Sequence, residues 1–214
     1  KKPLFYLLIS AGARQGGFKE LFSRIDDPEE KQKIIEMIKA ATLHYDKILV
    51  TSAKIKSIVG RTIAQIAQKA GIPPEEALLE TVRANEGRVH ILGRTLSLRN
   101  TTRAIRHKSA MIATDGRGVS QDALGEGDLI HPRSFGAFPR FWHKFTDGKT
   151  GISPEEAVEK TSSVPARKLG IKERGMLKKG YFADIVVFDP RLIKDRATYK
   201  NPFRYPAGIE WVLV

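Results

Sequence analysis

The chain has 214 residues, 41% of them hydrophobic, and this composition excludes an intrinsically disordered tail. The absence of cysteine excludes disulfides and thiolate metal ligands, and it fits the reducing cytoplasm, where we expect the protein to act. The formal net charge of +13 predicts attraction to anions such as carboxylate substrates, acidic membranes or nucleic acid. No apolar run has the length of a membrane span, so no membrane partner is expected.

The first half of the chain alternates helical and strand patterns. Asp27 is typical of an N-cap, and Pro28 suits the first turn of the helix that follows it. Apolar residues at helical spacing extend this helix, and short β-rich runs separate it from the later ones. The predicted elements are helices over 28–43, 60–71, 72–87 and 98–107, and strands over 47–53 and 88–92. This order is typical of an α/β layer.

The stretch "MIATDG" (111–116) is apolar until it reaches an acid and a glycine. It predicts a buried strand over 110–114 that ends at Asp115. Asp-Gly is a common turn pair, so the acid has a simple structural explanation. An acid at the carboxyl end of a parallel strand is also the place where α/β barrels hold their catalytic groups. The glycine-rich residues 116–130 predict a long loop after it.

The last third of the chain contains further helix and strand signals. Ser153 and Pro154 are typical of a helix start, and a short helical turn is predicted from Pro165 to Gly170. Strands are predicted over 183–188 and 208–214.

Three stretches together carry a family resemblance: "ATDG" (113–116), "HPRSFGAFPR" (131–140) and the run over 152–190. They resemble the carboxyl-terminal half of the N-acyl-D-amino-acid deacylases (D-aminoacylases), which belong to the amidohydrolase superfamily. The pattern over 175–189 is found in many amidohydrolases, whereas His-Pro-Arg at 131–133 points to the D-aminoacylase branch.

The resemblance implies an α/β fold. It would be the carboxyl-terminal part of a (β/α)₈ barrel with a helical insertion near the seventh strand, plus strands of a small β-sandwich domain. The implied domains are an insertion region over 1–87, the last barrel strands and the active-site loop over 88–174, and the β domain over 175–214. Residues 111–114 would form the eighth barrel strand.

The resemblance also implies two site residues. Asp115 matches the general base beside a metal-bound water, and Arg133 matches the residue that grips the substrate carboxylate. Arg133 has a plainer alternative as a loop arginine bound to backbone carbonyls. His131 is expected to position the loop rather than to bind metal.

The implied cofactor is zinc, but the family's metal ligands are not recognisable in this chain. The expected activity is metal-dependent hydrolysis of the amide bond of N-acyl-D-amino acids. An amino-terminal half or partner subunit is expected to complete the site. Two alternatives stay open: a non-catalytic remnant or interaction subunit, and a basic nucleic-acid binder. The sequence has no basic block interleaved with aromatic residues, the pattern that would favour nucleic-acid binding.

Overall fold

The chain folds into two compact units of mixed helix and strand. The structure, a computed structural model, describes residues 6, 8–94, 96–118, 127–146, 148 and 151–214. Unit 1 comprises the described residues of Lys1–Thr95 and Leu124–Leu129. Unit 2 comprises those of Leu96–Ala123 and Ile130–Val214. The mixed content agrees with the expected α/β class.

Unit 1 packs helices against a two-stranded antiparallel sheet. Its elements are α1 (Phe18–Asp26), α2 (Pro28–Ala40), β1 (Ile48–Ala53), α3 (Ile63–Ala70), α4 (Pro74–Ala84) and β2 (Val89–Gly93). The Asp27 side chain caps α2 by accepting the Glu30 N–H at 2.9 Å, as the sequence predicts. Thr62 and Gln65 form a reciprocal capping box at the start of α3.

The core of unit 1 is aliphatic. Leu21, Val50 and Leu78 are fully buried, and each contributes about 1.5–3 kcal/mol by leaving water. The buried amide of Asn85 is satisfied on both sides, since it accepts the Ile55 N–H and donates to the Thr81 carbonyl, each at 2.8 Å.

The described residues of unit 2 form four α-helices and a second two-stranded antiparallel sheet. Its elements are α5 (Leu98–Arg106), α6 (Arg133–Phe145), α7 (Pro154–Thr161), α8 (Ser163–Lys168), β3 (Ile185–Phe188) and β4 (Ile209–Leu213). A small apolar cluster around Phe141, Phe145 and Ile152 holds α6 against Ala157 of α7. The Ser153 side chain caps α7 by accepting the Glu156 N–H at 3.1 Å.

The predicted strand over 110–114 is wrong. These residues form neither helix nor strand in the structure. A strand requires a neighbour that completes its hydrogen-bond ladder. The Ile112 N–H instead donates to the Lys160 carbonyl at 3.0 Å, at the end of α7.

The sequence also fails to predict α6. Gly136 and Pro139 lie inside this helix, and both residues usually indicate a break. The other predicted helices and strands are confirmed, with ends that differ by a few residues.

The barrel, the sandwich and the three domain ranges stay predictions. Both sheets in the described part of the chain are antiparallel pairs. Among those same residues, no helix combines the length and the apolar character that a membrane crossing requires.

Candidate functional site

Asp115 precedes the glycine-rich stretch over 116–130, whose predicted loop includes residues 119–126, outside the described part of the chain. Its side chain is 87% exposed. Its backbone has φ of +44°, in the left-handed region that few residues other than glycine adopt. Asp tolerates this region better than most residues, so the conformation fits the turn explanation as well as a catalytic role.

Arg133 is the partner of Asp115. It is the first residue of α6, and its Nη2 lies 2.7 Å from Asp115 Oδ2. The two residues are 18 positions apart in the chain, and unit 2 brings them together. Within the described part of the chain, the guanidinium of Arg133 pairs with this carboxylate, and its role toward a substrate stays a prediction.

His131 organises the start of α6. Its Nδ1 accepts the Arg133 N–H at 3.1 Å, and its carbonyl accepts the Ser134 N–H at 3.0 Å. Both donors belong to the first turn of a helix, which has no internal acceptors for them. His131 therefore positions the backbone of Arg133, in line with the role expected from the sequence.

The surroundings of His131 favour the neutral form of its ring. Burial lowers the pKa of His131, and the positive charges of Arg133 and Arg140 lower it further, whereas the Asp115 carboxylate acts in the opposite direction. A neutral imidazole whose Nδ1 accepts a hydrogen bond carries its proton on Nε2. The ring lies edge-on to Tyr199, with the centroids 5.4 Å apart.

The segment around Asp115 also packs on the first turn of α6. The Arg117 N–H donates to Ser134 Oγ at 3.1 Å, and the Gly116 N–H donates to Thr114 Oγ1 at 3.1 Å. A Cβ on Gly116 would lie 3.0 Å from the Ser134 Cα. This close approach is the reason that glycine suits position 116.

A cavity of about 490 Å³ opens beside Arg133 within unit 2. Its walls come from α5, α6, residues 112–113 and the chain over 195–199. They include the apolar side chains of Ile105, Ile112 and Phe141. The Arg140 guanidinium, on the same helix as Arg133, is held by Asp195 at 2.8 Å. The cavity therefore combines an apolar wall with a cationic rim.

The described residues do not fit a zinc site on their own. Zinc sites in proteins use three or four clustered His, Cys or carboxylate ligands. The described part of the chain has no group of three or more such residues placed to hold a metal. The nearest charge to Asp115 is a guanidinium, which competes with a cation for the same carboxylate.

Sequence reasoning missed two contributors to this arrangement, Ser134 and Lys160. Ser134 follows the predicted Arg133 directly, and small hydroxyl residues are frequent at helix starts. Lys160 is buried on α7, next to the core residue Ala157 along that helix. The available signal was a lysine three positions after Ala157, which places both residues on one face of the predicted helix.

Comparisons with known proteins agree with the resemblance seen in the sequence. The family described as "Amidohydrolase family" matches residues 18–207. An N-acyl-D-glutamate deacylase of Alcaligenes xylosoxydans xylosoxydans is 33% identical over 155 residues, which are 72% of this chain and 29% of that protein. A D-aminoacylase of the same organism is 40% identical over 97 residues, which are 45% of this chain and 20% of that protein.

A solved structure gives the same likeness. It is the N-acyl-D-glutamate deacylase of Bordetella bronchiseptica, complexed with zinc and a phosphonate inhibitor that mimics the tetrahedral intermediate. The TM-score is 0.69 at 27% sequence identity, and the match covers 92% of this chain and 42% of that one. The matched region spans less than a third of the curated relatives and less than half of the solved chain.

Proposed function

Because the chain belongs to the amidohydrolase family, we propose that it supplies the general base and the carboxylate-binding arginine of an N-acyl-D-amino-acid deacylase. The observation that carries this proposal is the 2.7 Å contact between Asp115 and Arg133. The contact supports a site in which one residue acts on the reacting atoms and the other holds the substrate.

Asp115 is the proton carrier of the proposed reaction. Its carboxylate takes a proton from the attacking water, whose oxygen forms a bond to the acyl carbon. The carbon–nitrogen bond then breaks, and the same proton passes to the leaving nitrogen. The products are a carboxylic acid and a D-amino acid. The high exposure of Asp115 leaves room for water and substrate at this carboxylate.

Arg133 is the proposed substrate clamp. A guanidinium binds a carboxylate through two parallel hydrogen bonds, which fix orientation as well as charge. Fixing the α-carboxylate in this way allows a site to distinguish a D-amino acid from its mirror image. In this structure Asp115 occupies the guanidinium, so the substrate carboxylate takes its place when it binds. The exchange releases Asp115 for proton transfer.

Zinc is proposed as the cofactor of the complete enzyme, by likeness to the relative whose structure contains it. The described residues here do not fit a zinc site, so its ligands come from an amino-terminal half or a partner subunit. We place the enzyme in the cytoplasm, on the absence of cysteine alone.

Reconstitution tests the proposal. The chain is co-expressed with the amino-terminal part of the N-acyl-D-glutamate deacylase relative, and hydrolysis of N-acetyl-D- and N-acetyl-L-amino acids is measured. We expect release of D-amino acids only, and its loss in the Asp115→Asn variant. Hydrolysis of both mirror images at equal rates, or an assembled complex with no hydrolysis, contradicts the proposal.

A non-catalytic interaction subunit is the second candidate. The β3–β4 sheet favours it, because Trp211 and Val212 are 66% and 62% exposed. Adjacent exposed apolar residues on one small sheet are typical of a binding surface. This candidate predicts a folded complex with a protein partner and no hydrolysis in any assembly.

A further inference from the structure

Lys160 is a buried lysine that the proposed reaction does not use. It lies near the end of α7 with 2% of its surface exposed. A buried ammonium is costly unless its donors are satisfied. The Lys160 Nζ donates to the His107 carbonyl at 2.7 Å and to the Ala110 carbonyl at 3.4 Å. It also lies 3.3 Å from the Glu156 carboxylate.

The shortest of these contacts reaches the end of another helix. His107 is the C-cap of α5, where carbonyls lack internal donors and carry the negative end of the helix dipole. An ammonium is well matched to that position. The contact with the His107 carbonyl is shorter than the contact with Glu156, and Glu156 remains 38% exposed. We therefore infer that the main role of the ammonium is to stabilise the C-terminal end of α5.

The backbone of Lys160 holds the same segment at a third point. Its carbonyl is one of the orphan acceptors at the end of α7, and it accepts the Ile112 N–H at 3.0 Å. One residue thus holds residues 107, 110 and 112 against α7. These three points follow one another along the segment that leads to the proposed base.

Asp115 lies three residues beyond the last of these points, which is a reach of at most about 10 Å of extended chain. On its other side, Arg117 is tied to Ser134 at the start of α6. The turn that carries the carboxylate is therefore anchored on one side by Lys160 and on the other by α6. Removing either anchor leaves the chain unattached on that side, only a few residues from the base.

We propose that Lys160 is a positioning residue that holds Asp115 in place through the segment 107–112. The consequence for catalysis rests on the function proposed above, whereas the anchoring itself does not. The proposal therefore has a measurement that needs no activity.

Amide hydrogen exchange on the full chain, measured by NMR, is that measurement. Lys160→Met keeps a linear apolar stem and removes the ammonium. We expect the Ile112, Gly116 and Arg117 amides to exchange at least about tenfold faster, because local opening becomes easier. The Asp189 amide, bonded to the Gly208 carbonyl, is the internal reference and stays unchanged.

Lys168→Met is the matched control, since Lys168 is an exposed lysine at the end of α8. It should change none of the four amides. Unchanged exchange at Ile112, Gly116 and Arg117 in a folded Lys160→Met protein overturns the proposal. If Lys160→Met does not fold, Lys160→Gln replaces it, because the shorter glutamine side chain cannot reach both carbonyls. Exchange of the same three backbone amides then tests the proposal.

Kinetics of the reconstituted enzyme test the catalytic consequence. A displaced base lowers kcat while KM stays near its original value, and the expected loss is on the order of 10²-fold. Lys160→Arg keeps the charge and the donors and should recover most of the rate. Equal kcat in the wild type and in Lys160→Met overturns the catalytic role. If the wild-type assembly shows no hydrolysis, the proposed function is wrong, and the exchange rates still decide whether Lys160 holds the segment.

Discussion

The carboxylate of Asp115 and the guanidinium of Arg133 are bound to each other at 2.7 Å. In the proposed function, this ion pair keeps both groups occupied until the carboxylate of a substrate competes for the arginine. Under the proposed function, substrate binding is therefore coupled to the release of the base, and the two consequences can be measured separately.

Replacing Asp115 with Asn should abolish most of the activity with little effect on stability. We expect kcat of the reconstituted enzyme to fall by on the order of 10²–10⁴, because the amide cannot accept the proton. The lost ion pair is exposed, so the free energy of unfolding should change by less than about 1 kcal/mol. Asp184→Asn removes a carboxylate from another exposed pair, with Arg174, and is the control. A full rate in Asp115→Asn means that another group is the base.

Replacing Arg133 with Lys should weaken substrate binding selectively. The ammonium keeps the charge but loses the two parallel hydrogen bonds, so KM should rise by about 10–100-fold. For a substrate whose carboxylate is replaced by a carboxamide, the same substitution should raise KM little or not at all. Arg174→Lys is the matched control outside the site. An unchanged KM for the acid substrate is incompatible with a clamp.

The pKa of His131 reports the charges around the site, and its measurement does not require enzymatic activity. Its pKa is lowered by burial and by the two arginines and raised by Asp115. Asp115→Asn should therefore lower the pKa further, and Arg133→Gln should raise it. NMR of the imidazole Cε1–H over the acid range measures both shifts. A shift of opposite sign in either variant contradicts the arrangement of charges around the ring.

The same titration predicts how stability depends on pH. Because the folded pKa of His131 is below its ordinary value of 6.5, the unfolded chain binds more protons between the two values. The contribution to stability is complete above about pH 6.5 and is lost as the pH falls toward the folded pKa. His131→Gln should reduce this slope of the unfolding free energy against pH.

Adding a methyl group at position 116 should disturb the site, whereas the same change two residues later should not. The Cβ of Gly116→Ala would lie 3.0 Å from the Ser134 Cα, so the turn must move away from α6. A Cβ on Gly118 meets nothing within 4 Å. We expect a lower kcat and faster exchange of the Arg117 amide in Gly116→Ala only. Equal behaviour of the two variants shows that the close approach is unimportant.

Most of the helices in this protein follow from local sequence. Asp27 and Ser153 cap α2 and α7 through the hydrogen bonds that their positions predict. These signals are reliable because a cap and its helix lie within four residues of one another, so no distant partner is needed. The family resemblance, carried by motifs, likewise indicates Asp115 and Arg133 as candidate site residues.

Tertiary structure alone decided the rest. Residues 111–114 are apolar enough for a strand, but a strand exists only where another chain segment completes its ladder, and here the Ile112 N–H donates to α7. Gly136 and Pro139 are tolerated in α6, where both are buried. Lys160 reaches carbonyls 50 and 53 residues away along the chain. Contacts of that separation depend on the packing of whole elements, which no short stretch of sequence encodes.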